Sequence, residues 1–400
     1  MSPETTASAA ERPQPPPAAR PEPARSLLAP RPGPPWIGWG VSARLIDLQW
    51  LLATLAMASW GLVFFGWRML LLVAAGMTAT LASFLLTRLL LRLARPGRAS
   101  TPLLPALWLA LLMTMCLPVT PQLWPAALAG GLLGVAANLV GARHRVRVHP
   151  VAVALSLLVV TAAMSGEPPS WWRGQAVLLP NRLVAGDLFH ATTPDRPADW
   201  VPTVTGPDAV APPAPGELLK REQERIAAHP RLLENLLLSG ELPPMGRFLL
   251  GAVPGPAGAS SPLLLIALGL GLIWRGLASW RSAAAGLIAA ILVYLLLPLQ
   301  TASGWTMLAA QLGELGPLRS FVYLGYVLLG SPLLLALLIL APLSEPISRA
   351  GRFAWGALVG AGVMLAFRLL PGAGWAFPVL VAAGLLVPWL DRLRLRRRFA

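Results

Sequence analysis

The chain has 400 residues, 56% of them apolar and 12% charged, with a formal charge of +15. This excludes an ordinary soluble globular protein, and several apolar runs approach the length that crosses a bilayer. Lys220 is the sole lysine, and the arginines fall between apolar runs as topology signals do, which argues against nucleic-acid binding.

Residues 1–42 are rich in Pro, Ala, Arg and Glu and lack the apolar core of a signal peptide, so a disordered tail is expected. Five apolar runs follow over residues 43–164: Leu45 to Phe65, Met69 to Leu91, Leu103 to Leu117, Leu123 to Val140, and Pro150 to Ala163. Gly66 permits a tight turn between the first two, and Trp67 suits a membrane interface. Basic loops with Arg92, Arg95 and Arg98, then Arg143, Arg145 and Arg147, separate later runs.

Residues 165–260 form the one large polar segment, mostly Pro-rich and expected to be irregular. Within it, Glu217 to Ala228 mixes charges with good helix formers and predicts a short surface helix. Residues 261–391 supply five more runs: Pro262 to Leu277, Ala283 to Leu299, Phe321 to Ala341, Phe353 to Leu369, and Gly374 to Leu390. A basic tail, 392–400, ends the chain. The expected fold is an all-α polytopic membrane protein of about ten transmembrane helices in two five-helix halves, an arrangement that suggests internal duplication. With ten spans, the arginine bias places both termini in the cytoplasm and residues 165–260 outside. A bacterial-type inner membrane is expected.

The stretch from Arg247 to Arg281 organises the second half. Gly251 to Ser261 is a Gly/Pro-rich loop, and Ser261-Pro262 is a helix start: Ser caps free amides and Pro suits the first turn. Backbone amides there could meet an anion or a ring system. Gly251, Pro254, Gly255, Gly258 and Ser261, with Gly276, Ser279, Trp280 and Arg281 beyond the helix, resemble a segment of the NqrB/RnfD family. That family comprises the RnfD protein of the Rnf-type electron-transport complex and the NqrB protein of the sodium-translocating NADH:quinone reductase. Ala259 and Ser260 replace the family's acidic residue and Thr. Phe64-Phe65-Gly66-Trp67-Arg68 resembles its first hairpin, Val148-His149-Pro150 stands at its F-N-P, and Glu345-Pro346 replaces Asp-Pro in its M-A-T-D-P-V-T. The resemblance covers roughly residues 44–392. It implies partner subunits in a membrane complex that couples electron transfer to cation movement.

The family attaches FMN through a phosphoester to the Thr of an S-G-A-T-P-L-like motif. The equivalent stretch, Asp208 to Pro215, has Ala214 at the acceptor position, and alanine has no hydroxyl to esterify. Covalent FMN is therefore expected to be absent, and FMN or riboflavin would be held without a covalent bond. The candidate cofactor contacts are Gly255, Gly258, Ser260, Ser261 and Glu345; the last lies between Pro342 and Pro346 at a break that could line a cavity and touch a flavin or a cation. Asp47, Arg275, Arg281, Arg368 and Asp391 also lie at run ends, where interfacial placement is the simpler reading. Cys116 is the only cysteine, and the four histidines are scattered over loops, so no metal cluster is expected. A stand-alone solute permease and a structural membrane subunit without redox activity are the alternative function classes.

Overall fold

The computed structural model describes residues 43–94, 102–118, 123–141, 148–164, 215–222, 226, 235–236, 242–251, 253, 255–258, 260–301, 304–370 and 373–392. Expectations for the N-terminal tail, the basic loop at Arg143 to Arg147, the acceptor position Ala214 and the C-terminal tail fall outside these residues.

All ten apolar runs hold helical segments. The first five are α1 (Ala43–Phe65), α2 (Trp67–Ala94), α3 (Leu103–Met115), α4 (Trp124–Gly141) and α5 (Pro150–Met164). Gly66 makes the α1–α2 turn at φ +61°, a left-handed conformation that a side chain would strain. In the central segment lie α6 (Pro215–Arg221), which takes in the start of the expected helix from Glu217 to Ala228, most of whose remainder lies outside the described residues, and α7 (Met245–Leu250), which the sequence does not announce. The second half contains α8 (Pro262–Trp274), α9 (Trp280–Leu296), α10 (Leu308–Leu315), α11 (Pro317–Gly330), α12 (Arg349–Leu369) and α13 (Ala376–Arg392).

Two expectations need correction. The run Ala283 to Leu299 does not stay helical: proline cannot continue a helix, and Pro298–Thr301 (β1) pairs antiparallel with Gly304–Met307 (β2). The all-α fold thus carries one small hairpin. The run Phe321 to Ala341 is also broken. α11 stops at Gly330, before Ser331-Pro332, where proline disfavours helical geometry in the residue preceding it. The chain resumes as a π-helical turn, Leu335–Leu340, and a 3-10 turn, Ala341–Ser344, bent by 47° from α11.

Three helices are long and apolar enough to cross a membrane alone: Ala43–Phe65, Met69–Ala94 and Arg349–Leu369. The bent pair makes a fourth, and five shorter apolar helices pack among them. α3 is buried along nearly its whole length, whereas α1 and α2 expose rows of leucines, including Leu52, Leu55, Leu85, Leu86 and Leu89. A polytopic membrane protein has this pattern, with leucines facing lipid and small residues facing neighbouring helices.

The halves repeat one packing device. In the first, α2 crosses α4 where a Cβ on Gly130 would stand 2.5 Å from the Gly76 carbonyl oxygen, and one on Gly134 would stand 2.5 Å from the Thr80 carbonyl oxygen. In the second, α9 crosses α12 with Gly356 against the Ser282 backbone and Gly360 against the Gly286 backbone. Each crossing uses glycines four apart, so backbones touch and dispersion is gained without side chains between them. α2 begins at the face where α1 ends, while α9 begins at the opposite face, so the two crossings run in opposite senses.

Candidate functional site

The predicted site residues lie in two places. Ser261 caps α8, its Oγ accepting from the Leu264 amide at 3.2 Å and donating to the Leu249 carbonyl at 2.9 Å. Glu345 follows the 3-10 turn and meets Ser282 near the start of α9, beyond the far end of α8. A 13-residue helix is about 20 Å long, so the structure separates the Ser261 loop from Glu345 by roughly that distance.

The Ser261 loop is closed by its own backbone. The Ala257 and Gly258 amides donate to the Leu117 and Met115 carbonyls, both at 2.9 Å, at the end of α3. Trp60 Nε1 of α1 donates to the Leu250 carbonyl at 2.8 Å. A Cβ on Gly258 would stand 2.6 Å from Met115 Cβ and 3.0 Å from Met57 Cε, so glycine is needed there to let the loop lie on α3 and α1. Gly255 faces more open space, its nearest neighbour being Ser260 Cα at 3.9 Å. Ser260 is 5% exposed, and its Oγ has no hydrogen-bond partner among the described residues. It is the polar side-chain atom of this loop with capacity for a ligand, because Ser261 Oγ is engaged.

The break at Glu345 is built differently. Its carboxyl, whose side chain is 8% exposed, touches Ser282 Oγ and lies 3.9 Å from Arg352 Nε. Ser282 Oγ also lies 3.0 Å from the Ser279 carbonyl. Serine has one hydroxyl hydrogen, so the contact works in two ways. An ionised Glu345 accepts it; a protonated Glu345 donates to Ser282, which donates in turn to Ser279. Burial pushes the Glu345 carboxyl up to about 7, against the opposing effects of the Ser282 contact, the Arg352 charge and the Ser279 amide. Arg352 Nε donates to the Pro346 carbonyl at 3.0 Å, and Asp391 Oδ1 accepts from the Ile347 and Ser348 amides at 2.9 and 3.2 Å. The turn that presents Glu345 is therefore held from α12 and α13. Ser282 and Arg352 were not singled out in the sequence, since only folding brings residues 282, 345 and 352 together.

The remaining charged run ends have local roles. Asp47 accepts from Trp108 Nε1 at 3.2 Å, beside a stacked Trp50–Trp108 pair. Arg275 and Arg281 lie over the rings of Trp274 and Trp280. Lys220 Nζ donates to the Phe367 and Leu370 carbonyls at 2.5 and 2.6 Å, at the C-terminal end of α12, where helix carbonyls favour a cation. α12 has 21 residues, about 32 Å, so α6 and the Glu345–Arg352 pair sit at opposite ends of a membrane-length helix. His149, of the Val148-His149-Pro150 stretch, is buried: its Nδ1 accepts from the Val151 amide at 3.1 Å, and burial pushes its pKa down to about 3. Among the described residues no group of three or more His, Cys, Asp or Glu could hold a metal ion.

Compared with known proteins, residues 33–400 match the model of the NQR2, RnfD, RnfE family. No match is found among curated proteins.

Proposed function

Because this chain belongs to the NQR2, RnfD, RnfE family, we propose that it is the integral membrane subunit of an Rnf-type complex that couples electron transfer to cation translocation. The observation that carries the coupling is Glu345: a buried carboxyl in a helix break, able to hold or release a proton beside Ser282 without losing its hydrogen bond. Carboxyls buried among membrane helices are costly and mark ion or proton paths. In a bacterial-type inner membrane, the arginine bias supports both termini cytoplasmic, with Glu345 on the cytoplasmic face and residues 165–260 outside.

Flavin enters this reading without a covalent tether. Ala214 offers no hydroxyl for an ester, and Pro212 and Pro213 stiffen the approach. Ser260, with Gly255 alongside, is the place where FMN or riboflavin would be held reversibly. In-gel ultraviolet fluorescence after denaturation should be dark, and a fluorescent band would show that another hydroxyl, such as Thr203 or Thr205, carries the flavin.

The test of the main reading is purification of the tagged full chain from membranes. Flavin- and iron–sulfur-bearing subunits should accompany it. The break between α11 and the Leu335–Leu340 turn, bent by 47°, also suits a stand-alone permease. A chain that purifies alone and transports a solute after reconstitution would establish that second reading instead.

A further inference from the structure

The loop between α8 and α9 repeats one dipeptide, Trp274-Arg275 and Trp280-Arg281. Both indoles are exposed, at 85% and 55%. The Arg275 guanidinium carbon lies 5.7 Å from the Trp274 ring centroid, and that of Arg281 lies 5.2 Å from the Trp280 centroid. Gly276 turns the chain between the pairs at φ +74°, with nothing within 4 Å of where a Cβ would stand. Trp280 is steadied by Phe353 of α12, edge-on at 6.3 Å.

Two physical features single out this loop. Indoles this exposed at the ends of apolar helices suit the headgroup region, where the ring body is dry and the N–H is wet. A guanidinium lying over an indole face keeps its N–H edge outward, and its fork matches two phosphate oxygens. Among the described residues neither arginine has a carboxylate partner, and the acids at this face are occupied: Asp47 accepts from Trp108 Nε1, Glu345 is buried against Ser282, and Asp391 accepts two backbone amides. Arg349 and Arg392 add positive charge near the same helix ends.

We propose that this tandem Trp–Arg loop clamps the phosphodiester of an anionic phospholipid in the leaflet on the Glu345 face. The two arginines hold the phosphate, and the two indoles lie along the glycerol and upper acyl region. The proposal rests on the membrane reading only in that α8 and α9 end at a bilayer surface.

The experiment uses the purified full chain, delipidated in mild detergent. It is titrated with dioleoyl phosphatidylglycerol, with dioleoyl phosphatidylcholine, and with phosphatidylglycerol in the presence of inorganic phosphate. Bound lipid is counted by native mass spectrometry. The wild type should prefer phosphatidylglycerol. Arg275→Gln should weaken its retention about fivefold, and the double change with Arg281→Gln about thirtyfold. Trp274→Ala with Trp280→Ala should weaken retention of the same lipid, whereas Arg92→Gln on α2, with no indole before it, should leave it unchanged. The proposal is overturned by equal retention of both lipids, by unchanged selectivity in the double arginine variant, or by displacement of lipid by inorganic phosphate at equal concentration. A protein partner lost from the double variant at unchanged lipid selectivity would assign the loop to that partner instead. Because the titration needs no other subunit, absence of partners bears on the functional reading alone.

Discussion

The Ser261 loop and the Glu345 break are both irregular backbone at the ends of apolar helices, and they solve the same problem in opposite ways. At the first, main-chain amides meet main-chain carbonyls of α3, and glycine removes the side chains that would obstruct them. At the second, an ionisable side chain is buried beside a hydroxyl and a guanidinium, at an energetic cost that a packing role alone does not explain. Two irregular loops, both with prolines but only the first with glycines, thus differ in kind. One holds the first half to the second, and the other buries a titratable group, which the proposed function uses for coupling.

The comparison is broken most directly by adding bulk. Gly258→Leu drives a side chain into Met115 and Met57, and should destabilise the protein by at least about 3 kcal/mol, the upper end for overpacking. Gly255→Ala, in open space, should cost less than about 1 kcal/mol. Thermal melting in detergent reads both; a Gly258→Leu protein as stable as wild type would remove the packing account of this loop.

The next effect is in pH. Glu345 titrates near 7 when folded, against an ordinary value of 4.5. The folded state therefore binds its proton more tightly, so its contribution to stability is complete below about pH 4.5 and is lost as pH rises through 7. That change amounts to about 3 kcal/mol for a shift of this size. The melting temperature of the wild type should fall between pH 5 and pH 8, and Glu345→Gln should flatten that fall. An equal fall in both proteins would show that another group titrates.

Smaller effects sharpen the first region. Ser261→Ala removes the α8 cap and should cost about 1 kcal/mol. Ser260→Ala removes a buried hydroxyl with no partner among the described residues, and should be neutral or slightly stabilising in flavin-free protein. Denaturation of both variants with added FMN tests the ligand role: a shift with FMN in wild type that Ser260→Ala loses would place the flavin there. Lys220→Met should also cost about 1 kcal/mol or less, loosening α6 from the end of α12 and speeding proteolysis near residue 220.

How much of this could be read in the sequence follows from the range of each interaction. The Ser261-Pro262 start and the Gly66 turn depend on neighbouring residues, and both stand as read. The apolar runs announce their helices, but Pro298 and Ser331-Pro332 were absorbed into them because apolar continuity masks a local break. Glu345 was noticeable as a carboxyl between prolines. Its partner Ser282 was not, being 63 residues away on a helix that looks like any other small-residue run. Lys220 likewise finds its carbonyls 147 and 150 residues away. The glycine crossings were legible only as composition, since neither half repeats the other's sequence.

The central claim is that the Glu345 break serves transport while the Ser261 loop serves assembly. The most direct measurement is redox-driven cation uptake into inverted membrane vesicles holding the full complex with Glu345→Gln. The account predicts that the variant inserts, assembles and co-purifies with its partner subunits while uptake falls at least tenfold. Undiminished uptake by the variant, or loss of assembly with the transport rate per complex unchanged, would contradict it.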